Sequence, residues 1–464
     1  MYSLSISSVI GGKHKGIPRW GKRFCIDSRQ IKEGDIFIPL KGQKFDGHLF
    51  VEEAFKRGAL GFIVQKGKLK GQLIEKISRR GFVIEVENTF EALKKIASYK
   101  RKIFKGSEII AITGTAGKTT TKELIAHLLK SKFSVYKTPG NLNSRIGLPL
   151  ALANADEQAT FHVFEVGSDG RGNITGLLKI LKPTVGVLTS LGLAHLSGFK
   201  NFENLVCAKG EIFDPYGVCS FKTFPFQGLK KIVLPARWKE FYKVLFEDRK
   251  VVLFSEGELK ITSWRFTKEG KTLIELQNRK IEIPLLGLGL ISAVEAALGT
   301  LQALGLDGED FVQEFKTFKG EWGRMQPLKG ENFLVIDDSY NANPLSMETA
   351  LKTLTLVEEY KERVAILGDM LELGNLTVEE HKKLGLLLEE LPITEVYLYG
   401  EYTRYTAEVI KSKPVFWSDK KEKLFEILKK RDHPREGAVY LIKGSRGCKM
   451  EQFLEVLNLQ QEIF

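Results

Sequence analysis

The chain has 464 residues, 43% of them hydrophobic and 27% charged, and its 70 Lys and Arg against 57 Asp and Glu leave a net charge of +13. That length exceeds what one hydrophobic core organises, so about three domains are expected in an ordinary soluble globular protein. With no run of about 18 or more apolar residues, and no basic head and apolar core in the opening MYSLSISSVIGGKHKG, neither a membrane-spanning helix nor a secretory leader is expected, and a cytoplasmic monomer is.

The positive surplus favours a polyanionic partner. It is spread along the whole chain, without an arginine-rich tail or aromatic-basic alternation, which points to a phosphate-bearing small molecule and away from nucleic acid. Cys25, Cys207, Cys219 and Cys448 form no CxxC pair, so reduced, packed thiols are expected in place of a disulfide framework or zinc knuckle. The scattered histidines form no paired metal motif.

In chain order, residues 1–86 hold short apolar runs (GDIFIPL, LGFIVQ, GFVIEVE) and one helical pattern, HLFVEEAFKRGA, which read as a small α/β domain. TFEALKKIASYKRKIF has helical spacing and a basic tail, a connecting helix. From residue 108 strands and helices alternate (EIIAIT, GKTTTKELIAHLLKSK, FSVYKT, TFHVFEVGS, PTVGVLTSLG), the pattern of a mostly parallel sheet flanked by helices. The turn-rich, aromatic region 214–284 yields no assignment. GEWGRMQP suits a hinge, and beyond it NFLVIDDS, RVAILGD, EVYLYG and AVYLIKG alternate with helical stretches. The expected fold class is therefore α/β in three domains: 1–86, a central P-loop-type domain over 87–320, and a C-terminal Rossmann-like domain over 321–464.

IIAITGTAGKTTTKE carries the strongest chemical signal. A standard phosphate loop needs Gly, four residues, then Gly-Lys-Ser/Thr, and here the first glycine position is Ile112 while the available glycine is Gly114. The physical requirements survive: a strand ending at Thr113, the small residues Gly114, Thr115, Ala116 and Gly117, and a helix opening near Lys118 with exposed amides. Lys118 can meet phosphate oxygens, and Thr119 or Thr120 can offer a hydroxyl to Mg²⁺. A nucleoside triphosphate is the expected ligand.

TGTAGKTT resembles the loop of the Mur ligase family. GNLNSRIGLPLAL, VFEVGSDGRGNI, AHLSGFKNFENLVCAKGEIF, DDSYNANPLSME, LGDMLELG and KGSRGCKME are similar to that family's segments in its order, and DSRQIKEGDIFIPLKGQKFDGHLFVEEAFKRGA resembles its UDP-sugar-binding domain. The likeness covers nearly the whole chain except about 214–284. It implies an ATP-dependent amide ligase of the branch joining D-alanyl-D-alanine to UDP-N-acetylmuramoyl-tripeptide through an acyl phosphate.

Residue by residue, the resemblance implies the following. Glu165, at a strand end, ligates Mg²⁺; His195 serves a second Mg²⁺; and Lys209, carbamylated by CO₂, becomes an anionic magnesium ligand. Asp338 accepts from the ATP ribose and Arg324 contacts phosphate. Ser28, Arg29, Lys41, Gly42, Asp46 and His48 are the UDP-sugar candidates, and Asn141 and Asn143 also reach substrate. Arg446, beside Ser445, receives a substrate carboxylate, while Asp369 or Glu372 holds the dipeptide ammonium. Most of these residue types serve equally as caps or surface ion pairs, Asp369, Asp338 and Asp169 above all. The segment GLGLISAVEAAL departs from the family pattern, with Gly289, Leu290 and Ala293 where polar groups are expected to meet adenine.

Overall fold

The computed structural model describes residues 1–42, 45–192, 201–213, 229–246, 249–256, 259–277 and 279–459. The chain forms two compact units, one of residues 1–109, 136–166 and 176–183, the other of 110–135, 167–175 and 184–464.

Strands β1 (Lys13–Gly16), β2 (Phe24–Cys25), β3 (Ile36–Phe37), β4 (Gly61–Gln65) and β5 (Phe82–Val86) make the first unit's sheet. Its order is β1-β5-β4-β3-β2, parallel except for β1. Buried residues of alternating register fill both faces: Phe24, Ile36, Ile63 and Ile84 on one, Cys25, Phe37, Phe62 and Val83 on the other. The expected connecting helix runs Thr89–Ile103. Asn88 caps it by accepting from the Phe90 and Glu91 N–H groups, and Lys100, Arg101 and Lys102 sit in its last turn, complementing the helix dipole at both ends. Its Ala92, Leu93 and Ile96 pack in the first of these cores, as do Leu150 and Ala153 of the helix Gly147–Ala153.

Next come β6 (Glu108–Thr113), β7 (Val135–Lys137), β8 (Phe161–Glu165), β9 (Val185–Leu188), β10 (Lys231–Pro235) and β11 (Lys250–Phe254). In the second unit β6, β9, β10 and β11 lie side by side and parallel, in the order β11-β10-β9-β6. All four residues of β9 are buried, as a strand covered on both faces requires. The helices Lys118–Lys130 and Leu288–Leu304 pack together in this unit.

Within the stretch that the sequence left unassigned, β10, β11 and a three-stranded antiparallel sheet appear, formed by β12 (Ile261–Phe266), β13 (Thr272–Leu276) and β14 (Arg279–Ile283). The last sheet contains β15 (Gln326–Lys329), β16 (Leu334–Asp338), β17 (Glu362–Gly368), β18 (Glu395–Tyr399), β19 (Val415–Ser418) and β20 (Ala438–Lys443). Its order is β15-β16-β20-β17-β18-β19, parallel apart from β15.

Cys25 and Cys448 are free and buried, but Cys207 is disulfide-bonded, which corrects the expectation of four reduced thiols; Cys219 lies outside the described residues. The spacing rules that argued against a disulfide recognise frameworks and metal knuckles and are blind to an isolated bridge. Among the described residues no helix is long and apolar enough to cross a membrane.

Candidate functional site

β6 ends at Thr113 and, after four intervening residues, the helix Lys118–Lys130 opens with Gly117 at φ +81° as its N-cap. That left-handed conformation costs glycine little and turns the first helical amides outward. Gly114 stands at φ +153°, where an added Cβ would meet Thr189 Oγ1 at 2.0 Å, so the loop lies flat against the residue after β9. Thr189 Oγ1 donates to the Ala116 carbonyl at 2.6 Å, Ala116 N–H donates to Ser190 Oγ at 2.9 Å, and Thr115 N–H donates to the Ser190 carbonyl at 3.0 Å. Lys118 Nζ spans the turn, donating to the carbonyls of Gly114 at 2.8 Å and Thr115 at 3.2 Å. Thr119 is buried and Thr120 half-buried on the first helical turn. Small residues, outward amides and a lysine form a cradle that fits a polyphosphate. Thr189 and Ser190, which shape it, carry no motif of their own; only their place at the end of a strand parallel to β6 could have flagged them.

Lys209, on the helix Phe202–Gly210, is 2% exposed and donates to the Ser168 carbonyl at 3.3 Å. Burial, then the neighbouring Lys118 charge, lowers its pKa to about 7, against the pull of Asp169 and Glu211. Glu211 accepts the Gly172 and Thr175 N–H groups at 2.6 and 2.9 Å, thereby capping the helix Asn173–Leu181. That is the capping role considered for Asp169. In the first unit Glu165 is 2% exposed at the end of β8, and Asn143 Nδ2 donates to its Oε1 at 2.7 Å; Asn143 N–H in turn donates to the Asn141 carbonyl. His195 lies outside the described residues. Among the described residues no cluster of three or more His, Cys, Asp and Glu side chains is disposed to hold a metal.

The other expected residues divide sharply. Ser28 is buried, and Arg29 is an exposed residue whose guanidinium returns to Asp27 at 2.9 and 2.8 Å. His48 is spent inside the fold: its Nε2 accepts the Gln65 N–H at 3.0 Å, so Nδ1 carries the proton and donates to Asp46 at 2.6 Å. Burial opposes ionisation of Asp46, but hydrogen bonds from Lys68 and His48 outweigh it and hold the carboxyl far below its usual range. Lys41 pairs with Asp46 through a backbone bridge, and Gly42 N–H donates to the Phe45 carbonyl.

In the last sheet Asp338 accepts from Met325 N–H at 3.2 Å and from Lys443 Nζ at 2.6 Å, and Arg324 stacks on Tyr340 at 4.3 Å. Arg446 donates to Glu451 at 2.9 Å and lies over Trp322 at 5.0 Å. Both oxygens of Asp369 are engaged, accepting N–H groups from Glu401, Tyr402 and Thr403 at 3.0, 2.9 and 2.8 Å; burial raises its pKa against those bonds. Of the two carboxylates considered for an ammonium, Asp369 is thus a cap, and Glu372 is exposed at φ +65°. Ser445 Oγ accepts the Leu371 N–H at 2.9 Å and steadies the same loop. Leu290 and Ala293 are buried, while a Cβ at Gly289 would meet nothing within 4 Å.

A strand-loop-helix phosphate cradle on a parallel sheet, followed along the chain by a second, mostly parallel α/β sheet, is the architecture of a P-loop-type ATP-dependent ligase. Family models describing the Mur ligase family catalytic domain, the Mur ligase middle domain and the Mur ligase glutamate ligase domain match residues 23–101, 112–301 and 323–446. This chain belongs to the Mur ligase family. It is 30% identical to the UDP-N-acetylmuramoyl-tripeptide–D-alanyl-D-alanine ligase of Bacillus subtilis, over 93% of this chain and 92% of the relative. It is 31% identical to that of Rickettsia prowazekii, over 92% and 93%. Among solved structures it resembles MurF from Acinetobacter baumannii (TM-score 0.82, 28% identity, 98% of each chain). It also resembles the MurF ligase of Thermotoga maritima in complex with ADP (TM-score 0.76, 30% identity, 94% of this chain and 97% of that one).

Proposed function

We propose that this chain is an ATP-dependent acid–amino-acid ligase that joins D-alanyl-D-alanine to UDP-N-acetylmuramoyl-tripeptide, yielding the UDP-pentapeptide, ADP and phosphate in peptidoglycan precursor synthesis. The observation that carries this reading is the continuous likeness to ligases of that name over more than nine-tenths of both chains. In the three-part division into 1–86, 87–320 and 321–464, the first part takes the UDP-sugar, the second the ATP phosphates and the third the ribose and dipeptide. The substrates and ATP are cytoplasmic small molecules, and the reading includes no nucleic acid.

Condensing a carboxylate with an ammonium is uphill in water, so the tripeptide carboxylate first attacks the γ-phosphorus, displacing ADP. The dipeptide amine then attacks the acyl carbon and displaces phosphate, with loss of a proton. Such transfers depend on positioning and charge more than on proton relays. In this reading Lys118 swings from the loop carbonyls to the phosphoryl oxygens, the Gly114–Gly117 amides and the helix N-terminus hold the triphosphate, and Arg324 balances its charge. Asp338 accepts from a ribose hydroxyl. Arg446 takes a substrate carboxylate and Glu372 the dipeptide ammonium. Thr119, Glu165, His195 and Lys209 are the proposed magnesium ligands; bound Mg²⁺ supplies charge neutralisation. Lys209 suits carbamylation because only a neutral amine adds CO₂, releasing a proton to give the anionic carbamate, and its environment favours the neutral form. Closure about Gly320–Gly323, whose two glycines stand at φ +71° and +64°, brings the parts together.

The test is mass analysis of the products formed from ATP, the UDP-tripeptide and D-alanyl-D-alanine. A UDP-pentapeptide that forms only when all three are present supports the reading. ADP released without it would sink the assignment.

A further inference from the structure

Lys443 ends β20, the strand between β16 and β17, and pairs in register with Asp338 at the end of β16. Although 2% exposed, its ammonium donates to Asp338 Oδ2 at 2.6 Å and to the Asn341 carbonyl at 2.8 Å. Asp338 Oδ1 accepts the N–H of Met325, a residue held at φ +52°. The preceding carboxylate follows the alternation of the strand to the other face. There Asp337 is 1% exposed, accepts the Ser339 N–H at 3.0 Å, and is pushed by burial to a pKa of about 6. Lys443 therefore serves one of two adjacent carboxylates, the one at the carboxyl edge of the sheet, where ligands of open α/β folds bind.

Burying an ammonium is costly unless it is paired, and a hydrophobic residue of similar size often costs less. We propose that Lys443 is a positioning residue for nucleotide binding, which aims the Asp338 carboxylate at a ribose hydroxyl. The proposal rests on the ribose role given to Asp338 above. A carboxylate has roughly four acceptor directions. Met325 N–H takes one on Oδ1 and Lys443 one on Oδ2, which removes the side chain's rotational freedom and leaves the remaining lone pairs in fixed directions. Lys443 also offsets the negative charge that Asp338 would otherwise set beside an anionic polyphosphate.

The test is calorimetric titration of the full chain, in magnesium buffer, with ADP, 2′-deoxyADP and 3′-deoxyADP. The ratio of affinities reads the ribose contact and is insensitive to an inactive fraction. One deoxy analogue is expected to bind wild type about tenfold or more weakly than ADP. Lys443→Met is expected to bring that ratio to within about twofold, comparable to loss of the oriented bond. If Lys443→Met does not fold, Lys443→Arg keeps the charge but replaces a point donor by a planar fork, and the ratio is expected to fall there too. Discrimination that is lost in Asp338→Asn but kept in the folded Lys443 variant overturns the proposal and leaves the ribose reading standing. Discrimination absent from wild type, or kept in Asp338→Asn, removes the ribose reading and the proposal with it.

Discussion

Asn143 holds Glu165 directly: its Nδ2 donates to Oε1 at 2.7 Å, while Thr138 Oγ1 accepts the Glu165 N–H at 3.2 Å. A proposed magnesium ligand is thus oriented by a neighbour that the sequence suggested only as a substrate contact. Outer-shell partners of this kind typically matter by about ten- to a hundredfold in metal affinity. Asn143→Ala is expected to raise the half-saturating Mg²⁺ concentration for ADP formation roughly tenfold, with the thermal midpoint little changed. A Mg²⁺ titration that superimposes on wild type would remove Asn143 from the site.

Lys209 makes stability depend on pH. Its folded pKa of about 7 lies below the ordinary lysine value of 10.5, so between those values the unfolded chain carries a proton that the folded chain has lost. The contribution to stability therefore rises with pH across that window and is lost as pH falls through about 7. Denaturation midpoints of Lys209→Met should rise less steeply with pH in this range than those of wild type, while ligation is abolished. In bicarbonate-depleted buffer wild-type turnover should fall most at the acid end and recover on adding bicarbonate. Indifference to bicarbonate at every pH would argue against carbamylation.

The loop leaves no room at Gly114. With Thr189 Oγ1 2.0 Å from an added Cβ, Gly114→Ala must displace the hydroxyl that holds Ala116. Loss of one preorganised anion-stabilising group costs about 10²–10³ in turnover, and Gly114→Ala is expected to fall in or below that range. Steady-state assays of ADP release check this. A Gly114→Ala, Thr189→Ser double variant keeps the hydroxyl and does not rescue.

Far from the proposed nucleotide site, at the amino edge of the last sheet, Glu395 is 2% exposed and accepts from Arg431, from His433 Nε2 at 3.2 Å and from Tyr397 at 3.2 Å, with Arg435 at 3.2 Å. Removing one partner of a buried ionic cluster costs about 3–5 kcal/mol. Glu395→Gln should lower stability by that order in chemical denaturation while the ATP KM of the remaining folded enzyme is unchanged. Burial also lowers the His433 pKa, so protonating it opposes folding, and the stability tied to it is lost as pH falls below the ordinary histidine range.

Much of the fold was legible because it rests on periodicity. The runs EIIAIT, PTVGVLTSLG, NFLVIDDS and AVYLIKG contain β6, β9, β16 and β20, since buried parallel strands need continuous apolar residues. The region from β12 to β14 was not, because its edge strand, Ile261–Phe266, is exposed at four consecutive residues and so lacks the apolar alternation that would separate it from turns. At the site the glycine-lysine loop announced itself, whereas the partners that orient it did not. Thr189 and Ser190 act through tertiary adjacency between strands far apart in sequence. Conversely His48 and Asp369 stood out as polar residues in motif contexts, yet the structure spends them on backbone amides.

The staple between Ala116 and the Thr189–Ser190 pair explains how a loop with Ile112 in place of a leading glycine can still curve. The bend that extra glycine would supply by backbone freedom comes instead from two hydroxyls reaching across from the next strand. Shape is therefore shared between segments more than seventy residues apart, and neither can drift alone. Transplanting the glycine-lysine segment into another scaffold would carry over its letters but not its curvature, unless the threonine and serine travelled with it.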